Sequence, residues 1–152
     1  MEESPKPKPA AAGSSKPKLQ IPNKGPNPKS KMEDGAKPRD LEDRTFKFAQ
    51  SVRTFVKQLP RTVSKTEDVR QLVRASGSVA ANWTEADEVL SKKDFLMRVK
   101  ICRKEAKESR PFLRLIDSGV SRNNAASRGA LAAEARELTL IFSSIISKLS
   151  GS

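Results

Sequence analysis

From Asp40 to Leu149, apolar residues recur at alternating steps of three and four in four successive segments. This spacing places them on one face of an α-helix, and no stretch shows the two-residue alternation of a strand. The segments are roughly 18 to 28 residues long with short connections, so neighbouring helices must run antiparallel. The sequence therefore predicts an all-α, antiparallel up-down four-helix bundle over residues 40–152.

Local signals mark where the helices start and stop. Asp40 is predicted to cap the first helix and Pro60 to end it. Ser64-Lys65-Thr66-Glu67 has the spacing of a capping box, and Gly119 marks the stop after the third helix. The predicted core positions are Leu41, Phe48, Ala49, Val52, Phe55, Val56 and Leu59, then Val69, Leu72, Val73, Ser76, Val79, Ala80, Trp83 and Leu90, then Phe95, Val99, Cys102, Ala106, Ser109, Leu113 and Ile116, and finally Leu131, Ala135, Leu138, Phe142, Ile145 and Leu149.

Two residues depart from an ideal helical pattern. Gly77 lies inside the second segment, where it lowers helix propensity but lets a neighbouring helix approach closely. Pro111 lies inside the third segment and removes the backbone hydrogen bond to residue 107. We expect a kink at Pro111 rather than the end of the helix.

Residues 1–39 have a different composition. They contain eight of the ten prolines and no aromatic residue, with lysine and proline alternating in Pro5-Lys6-Pro7-Lys8-Pro9 and Lys16-Pro17-Lys18. Such a stretch cannot bury enough apolar surface to offset the entropy of ordering, so it is predicted to be a disordered arm. Nine Lys or Arg against four acids give it a charge of +5. It is interpreted either as a polybasic arm that contacts phosphates or as a solubilising linker.

The composition favours some classes of partner and excludes several kinds of catalytic or metal site. The net charge of +12 attracts nucleic acid, anionic lipid headgroups or acidic proteins. The chain has no histidine, so the usual general base and imidazole metal ligand are missing. A single cysteine, Cys102, excludes an intrachain disulfide and a cysteine-based zinc site. We expect a protein that is not an enzyme and has no cofactor.

The sequence also bears on the compartment. The chain opens without an apolar run of signal-peptide length, and nowhere do 18 consecutive apolar residues occur. We therefore expect a cytoplasmic protein that does not contact a membrane.

A carboxylate metal site is the one enzymatic alternative. Glu85 and Glu88, and likewise Glu105 and Glu108, lie one helical turn apart. Di-iron bundles, however, use Glu-x-x-His, and Lys104 is spaced to pair with Glu108. The sequence therefore predicts no metal site.

Residues Arg74-Ala75-Ser76-Gly77-Ser78-Val79-Ala80-Ala81-Asn82-Trp83-Thr84-Glu85-Ala86 form a small-residue run followed by Asn-x-x-Glu. This run, together with Ser91–Phe95 and Ile101–Arg110, resembles the bacterial four-helix-bundle family first noticed as open reading frames within intervening sequences of large-subunit ribosomal RNA genes. The resemblance extends from Asp40 to Leu149. Pro111 departs from it, since an aromatic residue is common there.

The resemblance implies a homo-oligomer, commonly a ring of five. It also implies kinship with the accessory proteins of diversity-generating retroelements, which bind nucleic acid and a reverse transcriptase. Asn82 and Glu85 match the motif and are interpreted as an interhelical or intersubunit polar network that fixes register.

Basic residues concentrate in the third segment. Four of them are spaced seven apart and project from nearly one side of the helix, with three more beside them or on the neighbouring flank. The candidate nucleic-acid-binding residues are Lys93, Lys100, Arg103, Lys104, Lys107, Arg110 and Arg114. A solvated face is the alternative, but a ring of subunits would multiply the stripe into a continuous basic surface.

Aromatic residues are few, and the chain has no tyrosine. Trp83 and Cys102 fall on apolar seams, so we interpret them as core residues rather than a base-stacking platform and a reactive thiol. Recognition of RNA or DNA would then be directed at the backbone.

Two functions from different classes remain. The first is an oligomeric nucleic-acid-binding accessory protein, and the alternative is a protein-interaction scaffold that docks an acidic partner. Oligomerisation is predicted because the third segment carries Met97, Ile101, Phe112 and Leu115 away from its core seam.

Overall fold

The computed structural model describes residues 38–61, 63–116 and 121–151. Four α-helices account for nearly all of them: α1 Pro38–Lys57, α2 Val63–Ala86, α3 Lys92–Leu115 and α4 Arg122–Ser150. The predicted all-α four-helix bundle is confirmed. The predicted disordered arm falls on residues 1–37, outside the described residues, whereas Pro38 and Arg39 already belong to α1. None of these helices is long and apolar enough to cross a membrane.

Side-chain contacts between helices establish the antiparallel arrangement. Between α2 and α3, Arg74 contacts Glu108 while Asn82 contacts Arg98, so residue numbers rise in one helix as they fall in the other. Between α1 and α4, Arg44 bonds Glu134, and the Asn124 amide donates to the carbonyl of Gln58 at 3.5 Å. Each helix packs against the two beside it, with the α1–α4 pairing the least extensive.

Trp83 lies at the centre of the core. The side chain is fully buried, and its ring centroid is 6.0 Å from that of Phe95 in α3 and 5.9 Å from that of Phe142 in α4. One residue of α2 thus joins three helices. Edge-on and tilted aromatic pairs of this kind add about 0.5–1.5 kcal/mol each beyond their buried area. Cys102 is also fully buried beside α2, with its Sγ 3.6 Å from the carbonyl oxygen of Val79.

The α3 seam is buried at every predicted position, from Phe95 to Ile116. In α4 the structure adds Ile146 and Asn124 to the buried set and leaves Leu149 partly exposed. The prediction for Leu90 was wrong. Its side chain is 71% exposed because α2 ends at Ala86, so the 3.6-residue period that would have turned Leu90 inward stops before it.

Two of the predicted helix starts were also wrong. α1 begins at Pro38, where proline is favoured because the first N–H groups of a helix have no partner, so Asp40 lies within the first turn rather than at the cap. α2 begins at Val63, one residue before Ser64, so Ser64 lies inside the first turn rather than at the cap, and the Glu67 carboxylate accepts hydrogen bonds from Arg70 and Gln71.

Serine caps begin the other two helices. The Oγ of Ser91 accepts from the N–H of Asp94 at 3.1 Å, and the Oγ of Ser121 accepts from the N–H of Asn124 at 3.2 Å. α1 ends at Lys57, just before Pro60, as predicted. The predicted stop at Gly119 lies outside the described residues.

Gly77 makes room for a side chain rather than for a helix backbone. A Cβ at this position would lie 2.9 Å from the Nη2 of Arg53 in α1. That guanidinium bonds the carbonyl oxygens of Ala49 at 2.9 Å and Val73 at 3.3 Å, and so joins α1 to α2.

α3 continues through Pro111, whose side chain is exposed. Pro111→Ala should therefore raise the free energy of unfolding by about 1–3 kcal/mol. Alanine restores the missing hydrogen bond and exceeds proline in helix propensity by about 3 kcal/mol, and the more flexible unfolded chain offsets part of that gain. Urea denaturation would measure the free energy of unfolding. The control is Lys107→Ala, at an exposed site one turn earlier, for which that free energy should change by less than about 0.5 kcal/mol. An unchanged or lower unfolding free energy for Pro111→Ala would contradict this.

Candidate nucleic-acid interface

Half of the net charge of the chain lies on α3. The helix has nine Lys or Arg and three Asp or Glu, so it supplies +6 of the +12. Its buried seam faces α2 and α4, which leaves its opposite side to solvent. The apolar periodicity that folds the bundle therefore also determines where this charge is presented.

Four exposed basic residues, seven positions apart, follow one another along that outer side: Lys93, Lys100, Lys107 and Arg114. A spacing of seven residues is nearly two helical turns, so successive members lie about 10 Å apart and the row is about 31 Å long. No carboxylate of the described residues forms an ion pair with any of the four. We call these four residues the basic row.

Lys104 lies beside the basic row but is already paired. Its Nζ is 2.9 Å from the Oε2 of Glu108 and 4.0 Å from that of Glu105. The bond to Glu108 raises the pKa of Lys104 above its ordinary value, and the same bond holds the pKa of Glu108 below its ordinary value. The structure thus places Lys104 in an ion cluster between α2 and α3, apart from the unpaired cations of the row.

Arg74 completes this cluster from α2. Its Nη2 is 3.3 Å from an Oε1 of Glu108 and 3.5 Å from that of Glu105, and the Glu105 side chain is only 9% exposed. The two carboxylates one turn apart on α3 therefore face basic side chains. Among the described residues, no group of three or more Cys, Asp or Glu is arranged to hold a metal ion.

The flank of α3 that faces α4 carries Arg103 and Arg110. Arg103 is partly buried, with its Nη1 3.5 Å from the Oγ of Ser143 in α4, whereas Arg110 is exposed. Sequence reasoning missed Arg136 of α4. Arg103 of α3 lies opposite Ser143 of α4. Seven residues further along α3 is Arg110, and seven residues back along antiparallel α4 is Arg136, which is exposed. The two arginines therefore lie at the same level of the bundle. Only the pairing of α3 with α4 reveals Arg136, because nothing in the α4 sequence singles it out.

Asn82 bridges α2 and α3. Its Oδ1 accepts from the Nη1 of Arg98 at 2.7 Å, and its amide donates to the carbonyl and hydroxyl oxygens of Ser78 at 2.9 and 3.0 Å. Glu85 is exposed, points away from this network and lines a groove between α1 and α2. The structure therefore does not bring Asn82 and Glu85 together within one chain, and a role for Glu85 between subunits stays a prediction.

Two grooves of the described residues are bordered by α1. The α1–α2 groove has a volume of about 890 Å³ and is lined by Phe46 and small residues, with acids at one end and Arg53 towards the other. A groove between α1 and α4 has a volume of about 460 Å³ and is bordered by the ion pair between Arg44 and Glu134, whose 2.7 Å bond raises the pKa of Arg44. Neither groove lies on the outer side of α3.

Comparisons with known proteins agree with this architecture. A crystal structure of a protein of unknown function from the S23 ribosomal protein family of Bacteroides thetaiotaomicron superposes with a TM-score of 0.58 and 25% sequence identity, over 70% of this chain and 97% of that one. A search of curated protein sequences gives no significant match. Residues 40–139 match the family model of the 23S rRNA-intervening sequence protein, about two-thirds of the chain. The chain therefore belongs to the 23S rRNA-intervening sequence protein family.

Proposed function

We propose that this protein binds the phosphate backbone of nucleic acid through the outer side of α3, and that it acts by binding rather than by catalysis. The observation that carries the proposal is the basic row, four exposed cations along the outer side of α3 with no carboxylate partner among the described residues. The family is named for an intervening sequence of 23S rRNA, which suggests an RNA-associated role.

Salt screens the charges of the basic row from one another, so the row is better suited to binding a polyanion than to stabilising the fold. Charges about 10 Å apart are separated by more than the Debye length of about 8 Å at physiological salt, so members of the row interact weakly with one another. A nucleic acid presents phosphates along its whole length and can contact each cation separately. Each contact then releases counterions, and the contributions add.

The surroundings of the row favour recognition of the backbone over recognition of bases. Phe95 is buried in the core, and Phe112, the other aromatic residue of α3, is partly buried against it. Single-stranded recognition by stacking needs exposed aromatic rings, which the described part of this face does not offer. Binding should therefore depend little on sequence.

A homo-oligomer is the second part of the proposal, with five copies as the resemblance implies. Met97 and Leu115 are 51% and 61% exposed on α3, more apolar surface than phosphate contacts require. The same two residues favour the second candidate function, a scaffold whose mixed basic and apolar face docks an acidic protein. A reverse transcriptase as partner stays a prediction of the resemblance.

Replacing Lys100, Lys107 and Arg114 together with Gln should weaken binding to all sequences alike. With about −0.9 in slope per phosphate contact on duplex DNA, a plot of log affinity against log salt should become shallower by about three. Fluorescence anisotropy on duplex DNA and structured RNA, beginning near 50 mM salt, would measure this. The matched control replaces Lys47, Lys57 and Arg61, which are exposed away from α3. Equal losses in the two triple variants would contradict a localised interface.

Single substitutions should distinguish the contribution of Lys104, which is paired with a carboxylate, from that of Lys107, which belongs to the basic row. Lys104→Gln should raise the pKa of Glu108 towards its ordinary value, because its strongest partner is lost, while Lys107→Gln should leave that pKa unchanged. In the binding assay, Lys107→Gln should flatten the salt slope more than Lys104→Gln. NMR titration of the Glu108 side chain would give the pKa, and a larger slope change for Lys104→Gln would show that the pairing does not remove Lys104 from the interface.

The oligomer has its own test. Light scattering at micromolar concentration should give a mass well above the 16.7 kDa of one chain, and about 84 kDa for five copies. Met97→Lys with Leu115→Lys should lower that mass, because the added charges would have to be buried. A mass of about 17 kDa for the unaltered protein would contradict assembly.

A further inference from the structure

The α1–α2 groove differs chemically from the rest of this basic molecule. Three exposed acids, Glu42, Asp43 and Glu85, line one end of it, and Phe46 is 60% exposed beside small residues. Arg53 lines the groove towards its other end, where its guanidinium donates to backbone carbonyls. No basic side chain of the described residues forms an ion pair with any of the three acids. An apolar surface with unpaired negative charge at one end fits a ligand that is cationic and has compact apolar groups.

The position of Glu85 at the carboxyl end of α2 also favours a cation nearby. Glu85 lies in the last turn of α2, and that turn contains no basic residue. The carbonyl end of a helix already carries partial negative charge, so a carboxylate there is unfavourable by a few tenths of a kcal/mol or more and a nearby cation is favourable. Asp87 and Glu88 follow directly, which adds to the negative charge at this end of the bundle.

Residues 1–37 have the complementary chemistry. They contain eight lysines and four acids, and lysine alternates with proline from Pro5 to Pro9. Such sequences favour the polyproline II conformation, in which proline rings pack on exposed aromatic side chains and the conformation itself costs little entropy on binding. Phe46 would supply the ring, and the three carboxylates would supply partners for the lysines.

The point of attachment makes contact within one chain feasible. α1 begins at Pro38, so Glu42 and Asp43 lie only about 6–8 Å along the helix axis from the residue that follows the segment. An extended segment of this length reaches about 115 Å, far more than the groove requires. Tethering converts a weak contact into an intramolecular one at an effective concentration in the millimolar range.

We propose that the lysine- and proline-rich segment of residues 1–37 docks in the α1–α2 groove of its own chain, with its lysines on Glu42, Asp43 and Glu85 and its prolines on Phe46. The groove is then an internal docking surface for a cationic segment. This contact lies outside α3 and does not depend on whether the protein binds nucleic acid.

Zero-length carbodiimide coupling of the full-length protein tests the proposal, since it forms an amide only between an amine and a carboxylate in direct contact. Mass spectrometry should find the lysines of residues 1–37 joined to Glu42, Asp43 and Glu85 about fivefold or more over exposed Glu137 of α4. A mixture of nitrogen-15 and unlabelled protein should give couplings within one isotope only. Equal coupling to Glu137, or couplings that join the two isotopes, would overturn docking within one chain.

A substitution that removes no charge tests the role of the aromatic ring. Phe46→Ala should lower the yield of these couplings by about twofold to fivefold, because the prolines lose their packing surface. Leu140→Ala, at another exposed apolar residue, is the control and should leave the yield unchanged. Unchanged coupling in Phe46→Ala would overturn the proposed contact with the ring.

Discussion

Packing of the apolar seams around Trp83 is the constraint on which the rest of this structure depends. The ring contacts Phe95 and Phe142, so α2, α3 and α4 meet at one fully buried residue. Burying a side chain of this size contributes several kcal/mol, more than any surface ion pair of the bundle. Each helix must turn its apolar seam towards this centre. The orientation of the seam then determines which of the remaining side chains face solvent.

The same packing separates the charges of the molecule. α3 directs its seam inward, so its basic row points outward, while beside that row the carboxylate of Glu108 pairs with both Lys104 and Arg74. On the α1–α2 side, three carboxylates lie at one end of the groove and Arg53 lies towards the other. A chain with a net charge of +12 thus presents a localised cationic face and a groove with an acidic end, two surfaces with different ligand chemistry.

Sequence periodicity predicted what depends on a single helix. Every position of the α3 seam, from Phe95 to Ile116, is buried as predicted. A regular repeat identifies the buried face of a helix without information about the neighbouring helices. Asp40 and Ser64 were wrong as caps because start signals are short and compete with adjacent residues, and Leu90 was wrong because its direction depends on where α2 ends. The cluster of Arg74, Glu105 and Glu108 and the level position of Arg136 require the register between helices, which periodicity within one helix does not contain.

Lysine footprinting would show whether the outer side of α3 is the phosphate-binding face. The protein would be acetylated with and without structured RNA at about 50 mM salt, where backbone contacts are strong, and each lysine would be followed by mass spectrometry. We expect RNA to protect Lys93, Lys100 and Lys107 and to leave Lys47, Lys57 and Lys148 unchanged, all six being exposed. Protection of the second set with no protection of the first would contradict this expectation.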